Sequence, residues 1–350
     1  MHVKRKRTLL WLGVAALCAL IVGATASAQR SATAKVALVT DIGGLNDKGF
    51  NHLSYVGLQR AQKQLTAAGG VNGRVFITNS ANDRKPNLQT AAQTGNGLVI
   101  AVGVLFEFGP LDDVAPAFPN TKFAGIDVDY GGLSKKPTNV RGIQFREQEA
   151  GYLVGYVAGL WETRHPVKGK MVVGGVGANK VPAIVRFLAG YRAGVHKANK
   201  TIKVLIDYAN DPTFADQAKC KETTLNHIGK GSRVEFEAAG ACGLGGLSAA
   251  KQKHIWGIGV DADQSFLGKH ILTSATKHVD VAVFNTIKQF KANPSGFKAG
   301  FNTNYTLKNN GVGYGKLSSA LSKADRTYIT KKVNTIKTLI IEGKIKPPTS

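Results

Sequence analysis

The 350-residue sequence predicts an α/β fold of two lobes, each a doubly wound, mainly parallel sheet with helices on both faces. Two observations predict it. Short apolar runs alternate with amphipathic helical patterns along the chain after residue 34. The alternation then restarts near Met171, which makes two halves of similar size with no low-complexity linker between them.

The elements follow in order. Val36-Ala-Leu-Val39 is a continuous apolar run stopped by Thr40-Asp41, and reads as a buried strand over Lys35–Thr40. A Gly43-Gly44 turn leads to a helical pattern over Asn51–Ala67. Strands at Val75–Thr78, Gly97–Val102, Lys122–Ile126 and Val140–Gln144 alternate with helices at Lys85–Thr94 and Pro110–Ala117. A helix over Gln148–Glu162 closes the first half. The second half repeats the scheme, with strands at Met171–Gly174, Lys203–Asp207, Arg233–Ala238 and Ile255–Val260. Its helices are Pro182–Asn199, Ala215–Ile228, Val279–Ala292 and Thr327–Glu342. Residues 35–141 with about 278–308 are expected to form one lobe, and 142–276 with about 311–344 the other. The chain is expected to cross between lobes near Val140–Phe145 and near Thr273–Lys277, as short ordered hinges.

The N-terminus reads as a signal peptide over residues 1–28. Lys4-Arg5-Lys6-Arg7 is a positive head, Thr8 to Thr25 is almost wholly apolar or small, and Ala26-Ser27-Ala28 offers a cleavage site. The competing reading is an uncleaved anchor, since the run nears the roughly 18 residues that a span needs. Cys18 follows Leu17 where a lipid-attachment motif wants a small residue. The mature protein is expected outside the cytoplasm, in the periplasm or on the outer face of the cytoplasmic membrane.

The formal charge is +24, from 46 Lys and Arg against 22 Asp and Glu. The lysines are scattered and no nucleic-acid-binding motif accompanies them, so no nucleic-acid partner is expected. A solvated basic surface suited to anionic headgroups or cell wall is the better reading. After export two cysteines remain. Cys220 falls in the first turns of an expected helix and Cys242 just past the next expected strand. Both lie at one end of the same αβ step, which predicts a Cys220–Cys242 disulfide in an oxidising compartment. No His or Cys stands beside them at metal-ligand spacing.

Function is sought in the loops after the strands, where open α/β sheets bind ligands. The first holds Asp41, Asn46 and Phe50; the next, Phe106; the next, Asp127. In the second half come Phe214, the glycine-rich stretch from Gly240, Asp261, and then Lys277. Gly43, Gly44 and Gly49 do not make a dinucleotide fingerprint, and there is no Walker lysine motif. Phe50 and Phe214 would face each other from opposite lobes and suit a flat ring between them. Ionised Asp41, Asp127 and Asp261 suit ring N–H or sugar hydroxyl donors. Each has a plainer reading: aromatics as core, aspartates as caps, Lys277 as a surface lysine. Phe187 in its helix reads as core.

Those loops resemble the basic membrane protein family, exported binding proteins of ABC importers that include a spirochaete purine nucleoside receptor. The likeness lies in Asp41-Ile-Gly-Gly-Leu-Asn-Asp-Lys-Gly-Phe-Asn51, Gly103-Val-Leu-Phe106, Asn139-Val-Arg-Gly-Ile-Gln-Phe145, Val181-Pro-Ala-Ile-Val-Arg-Phe-Leu-Ala-Gly190, Gly259-Val-Asp-Ala-Asp-Gln264 and Leu272-Thr-Ser-Ala-Thr-Lys277. The resemblance implies a type I periplasmic-binding-protein fold that captures a nucleoside, with no cofactor and no catalysis. It assigns ligand contacts to Asp41 and Phe50, base binding to Asp127, and ribose binding to Asp261 and Lys277. Phe214 corresponds to a second stacking ring, although Asn210-Asp-Pro-Thr213 departs from the family's glycine-containing loop. The implied partners are a small-molecule ligand and a membrane permease, with the protein a monomer. Alternatives are the same fold holding a flavin, nucleobase or sugar derivative, a nucleoside-processing enzyme, and an adhesive exported protein.

Overall fold

The computed structural model describes residues 33–67 and 69–350. The expected signal peptide lies outside the described residues. The chain first lays down β1 (Ala34–Val39), α1 (Phe50–Gln64), β2 (Val71–Phe76), α2 (Arg84–Gln93), β3 (Leu98–Val102), α3 (Pro110–Val114), β4 (Lys122–Ile126) and β5 (Val140–Phe145). Next come α4 (Glu147–Arg164), β6 (Val172–Gly177), α5 (Pro182–Ala198), β7 (Lys203–Tyr208), α6 (Gln217–Gly229), β8 (Val234–Ala238), α7 (Gly243–Gln252), β9 (Trp256–Asp261) and β10 (Ile271–Lys277). The chain ends with α8 (Val279–Ala292), β11 (Asn302–Tyr305), β12 (Val312–Tyr314) and α9 (Lys323–Ile341).

Two six-stranded sheets result, in the orders β11-β5-β4-β3-β1-β2 and β12-β10-β9-β8-β6-β7. Every pairing is parallel except the edge pair β10–β12. The expected two-lobed α/β architecture is therefore present. The central strands are apolar throughout because helices cover both faces. In the first sheet Val36, Leu38, Leu98 and Ile100 point into one core, and Ala37, Val39, Val99 and Ala101 into the other. The chain passes between the sheets at 145–147, 277–279 and 305–312.

Several boundaries differ from the sequence reading. The expected strand at Val75–Thr78 is β2, which starts four residues earlier. The segment Thr273–Lys277, expected near a crossing, lies in β10, a strand second from its sheet's edge with all seven residues buried, and the passage follows directly at 277–279. The glycine-rich stretch from Gly243 is helix α7, not loop. Two short edge strands, β11 and β12, carried no apolar signal. Among the described residues no helix is long and apolar enough to cross a membrane.

Helices α4 and α5 pack backbone to backbone. A Cβ on Gly155 would sit 2.1 Å from the Tyr191 carbonyl oxygen, and one on Gly194 2.1 Å from that of Tyr152. This close approach fixes the start of α4 against Arg186 and Phe187 of α5. Pro182 stands in the first turn of α5, where its missing N–H costs nothing.

Candidate ligand-binding site

The loops at the carboxyl ends of both sheets line a cavity of about 90 Å³. Asp41, Phe50, Asp127, Phe214, Gly240, Asp261 and Lys277 all line it. Two expected contacts do not. Asn46 is exposed on the loop surface, and its neighbour Asp47 lines the cavity instead. Phe106 is fully buried in the core beneath α2 and α3, with Leu111 and Val114; Leu105 takes the place at the wall. The loop after β3 turns inward through Gly103–Leu105, so the next side chain points back into the core.

The β1–α1 loop is built around Asp47 and Asn51. Gly49 at the N-cap of α1 has no side chain to offer. The Asp47 carboxylate supplies the cap, accepting from the backbone N–H groups of Gly49, Asn51 and His52 at 3.0, 2.7 and 3.0 Å. This holds Phe50, the first residue of α1, at the wall. Asn51 Oδ1 accepts from the Asp41 backbone N–H at 3.1 Å. Asp41 Oδ1 is already engaged by Arg84, whose Nε and Nη2 donate at 2.8 and 2.7 Å. Its second oxygen faces Gly103, where a Cβ would come within 2.9 Å of it. Gly103 has φ +129 and no side chain, which leaves that oxygen room.

Asp127 and Asp261 occupy matching places in the two sheets. Asp127 follows the last residue of β4 and Asp261 ends β9. Both have left-handed backbone conformations, φ +63 and +61, which are costly for a residue with a Cβ. The turn aims both carboxyls into the cavity. Phe214, at φ +58, is the third such residue in the wall. Its loop is gathered by buried Asp211, which accepts from the N–H groups of Thr213, Ala215 and Asp216. The Cys242 N–H donates to the Phe214 carbonyl at 3.0 Å. Cys242 is bridged to Cys220, as expected, with Cα atoms 5.5 Å apart. The disulfide thus ties the start of α6 to the Gly240 loop directly behind Phe214.

Lys277 ends β10 and is 2 % exposed. Its Nζ donates to Asp127 Oδ2 at 2.6 Å and lies 2.9 Å from Glu147 Oε1. It stands over the rings of Phe145, Phe50 and Phe187, at 4.8, 5.0 and 5.9 Å from their centroids. Burial works against this ammonium, but Asp127, Glu147 and Asp261 outweigh it and raise its pKa. Asp127 is raised by burial, with Lys277 opposing. Its Oδ1 is buried with no hydrogen-bond partner, an acceptor awaiting a donor. Burial pushes Asp261 up to about 7; Lys277 opposes this, and Asp127, Asp47 and Glu147 add to it.

Sequence reasoning missed Glu147, Arg84, Asp47 and Phe187. Phe187 is core, as expected, yet its ring also reaches the cavity wall. Glu147 carried a signal only in its charge at a helix start. Among the described residues no group of three His, Cys, Asp or Glu suits a metal ion.

Two parallel α/β lobes with a cavity lined by the loops at their strand ends define the architecture of a solute-binding protein. The family model for PnrA-like ABC transporter substrate-binding proteins, Bmp, matches residues 34–346, and the chain belongs to this family. It is a substrate-binding protein and not an enzyme. The chain is 32% identical over 332 residues to the ABC transporter nucleoside-binding protein BmpA of Lactococcus lactis, covering 90% of this chain and 89% of that one. It is 34% identical to an uncharacterized lipoprotein of Pyrococcus abyssi, over 91% of this chain and 77% of that one. A solute-binding protein structure from Aeropyrum pernix K1 superposes with a TM-score of 0.77 at 27% identity, covering 90% and 94% of the two chains.

Proposed function

We propose that this protein captures a nucleoside, with a purine base preferred, and hands it to a membrane permease. The observation that carries the reading is the pairing of aromatic and acceptor groups in one cavity. Phe50 from the first lobe and Phe214 from the second stand in its wall. Asp127 Oδ1 is a buried acceptor without a donor. A base N–H satisfies it, and the rings take the two base faces. Asp261 and Lys277 then meet the ribose, one as acceptor and one as donor. The Lactococcus relative, named as nucleoside-binding, supports the same class.

In this reading residues 35–141 with about 278–308 form one lobe, and 142–276 with about 311–344 the other. The passages between the sheets act as hinges. The protein works as an exported monomer after removal of residues 1–28. Titration calorimetry of the purified protein against inosine, adenosine, guanosine and cytidine tests the proposal. Purine nucleosides are expected to bind more tightly than the pyrimidine. Binding of none of them, with a flavin or a sugar bound tightly, overturns it.

A further inference from the structure

Glu147 is the first residue of α4, completely buried, and absent from the cavity wall. Its Oε2 accepts from Arg186 Nε at 2.6 Å, and its Oε1 lies 2.9 Å from Lys277 Nζ. It stands immediately after the chain's first passage between the sheets. Lys277 stands immediately before the second passage. Their ion pair therefore joins two of the three passages side by side. The same ammonium reaches Asp127 at the end of β4, in the other sheet.

We propose that Glu147 is a positioning residue of the binding site, which ties the two passages into one moving unit and holds Lys277 so that Asp127 keeps one oxygen for the ligand. The charges favour this. Arg186 and Lys277 balance Glu147 and Asp127, so no member is left uncompensated in the interior. The first turn of a helix also favours a carboxylate. Without the Glu147 charge the Lys277 ammonium, boxed in by Phe50, Phe145 and Phe187, keeps Asp127 as its one ion-pair partner among the described residues. It then competes with the ligand for both Asp127 oxygens. Glu147 thereby acts on affinity through Lys277 without touching the ligand.

The affinity arm of the test rests on the nucleoside reading; the exchange arm does not. Glu147→Gln keeps the side-chain shape and removes the charge. In the ligand-free protein, amide hydrogen exchange at residues 145–149 and 277–281 is expected to rise together, by about tenfold, while β3 stays protected. Arg186→Met, which leaves Glu147 to Lys277 alone, is expected to keep 277–281 protected. It also covers the case in which the Gln variant does not fold. Inosine affinity of Glu147→Gln at pH 8 is expected to fall about tenfold. The charges of Lys277, Asp127, Asp47 and Glu147 all act on Asp261, so loss of the Glu147 charge is also expected to move the acid limb of binding to lower pH. Absence of inosine binding in the unaltered protein would count against the nucleoside reading and leave the exchange result to decide. Unchanged exchange at both passages in Glu147→Gln, or equal loosening at 277–281 in Arg186→Met, overturns the proposal.

Discussion

In the proposed site, Asp261 makes ligand binding depend on pH. Its carboxyl is 7% exposed and its pKa is pushed up to about 7, chiefly by burial. A ribose hydroxyl that donates to it is held more strongly by the ionised form, both of whose oxygens only accept. Below pH 7 binding must first remove a proton, which costs about tenfold in affinity per pH unit. Between pH 8 and pH 5 the loss is about 100-fold, or about 2.7 kcal/mol. Asp261→Asn is the control. Asn accepts the left-handed conformation that this position requires. The variant is expected to bind about 10- to 100-fold more weakly at pH 8, since a charge-assisted hydrogen bond is lost, with a flattened acid limb. Stability moves the other way. The folded pKa lies above the unfolded value, so the folded protein holds the extra proton between about pH 4 and 7, and stability falls as pH rises through that window. The rise from 3.8 to about 7 corresponds to about 4 kcal/mol at most. Ligand-free Asp261→Asn is therefore expected to be more stable than the unaltered protein at pH 8 while binding worse. Calorimetry at four pH values and urea unfolding read both quantities. Equal affinity from pH 5 to pH 8, or the same slope in the Asn variant, refutes the assignment.

Three further outcomes follow from the same geometry. Phe214→Ala is expected to weaken inosine by about 1–3 kcal/mol, roughly 5- to 150-fold, in calorimetry; a change under threefold would remove Phe214 from the clamp. Replacing Cys220 and Cys242 by serine opens a link between residues 22 apart in sequence, which is expected to cost about 3 kcal/mol in urea unfolding. It should also weaken binding, because the bridge backs Phe214 and Gly240; loss of stability with unchanged affinity would separate the two roles. Lys277→Met leaves Asp127 and Glu147 facing each other without their shared cation, and is expected to cost about 3–5 kcal/mol of stability. A Met variant as stable as the unaltered protein would show that those carboxyls are not both ionised.

The fold was legible where burial writes an uninterrupted signal. β1, β3 and β4 are apolar on both faces and were read nearly to the residue. β10 hides the same burial behind hydroxyls. Thr273 donates to the Gly315 carbonyl, and Ser274 accepts from the Gln264 N–H, so polar residues sit inside at little cost. Local hydropathy cannot register such bonds, because the partners lie 10 and 42 residues away. In α7 the glycines suggested a loop but serve packing. A Cβ on Gly246 would lie 2.2 Å from the buried Glu237 carboxylate, and one on Gly245 1.9 Å from the Gln217 carbonyl oxygen. β2 was displaced because it is an edge strand, half exposed, with Gly73 and Arg74 breaking its apolar run.

The site divides along the same physical line. Asp127 and Asp261, which both line the cavity, were picked out because the ends of parallel strands are where such sheets bind ligands, a rule that needs only element order. What each carboxylate is free to do depends on partners that element order does not supply. Asp41 has the right type and place, yet Arg84, 43 residues on, already holds one of its oxygens. Asp127 gives one oxygen to Lys277, 150 residues on, and keeps the other open. Asp47, read as ordinary loop, commits its carboxylate to capping α1. Two of the wall's carboxylates are thus half committed before a ligand arrives. Each can accept a single directed donor more readily than it can clasp a cation between two oxygens. That restriction favours a ring N–H and separate hydroxyls over a metal ion or an ammonium ligand, and it arises from the ion pairs behind the wall as much as from the residues in it.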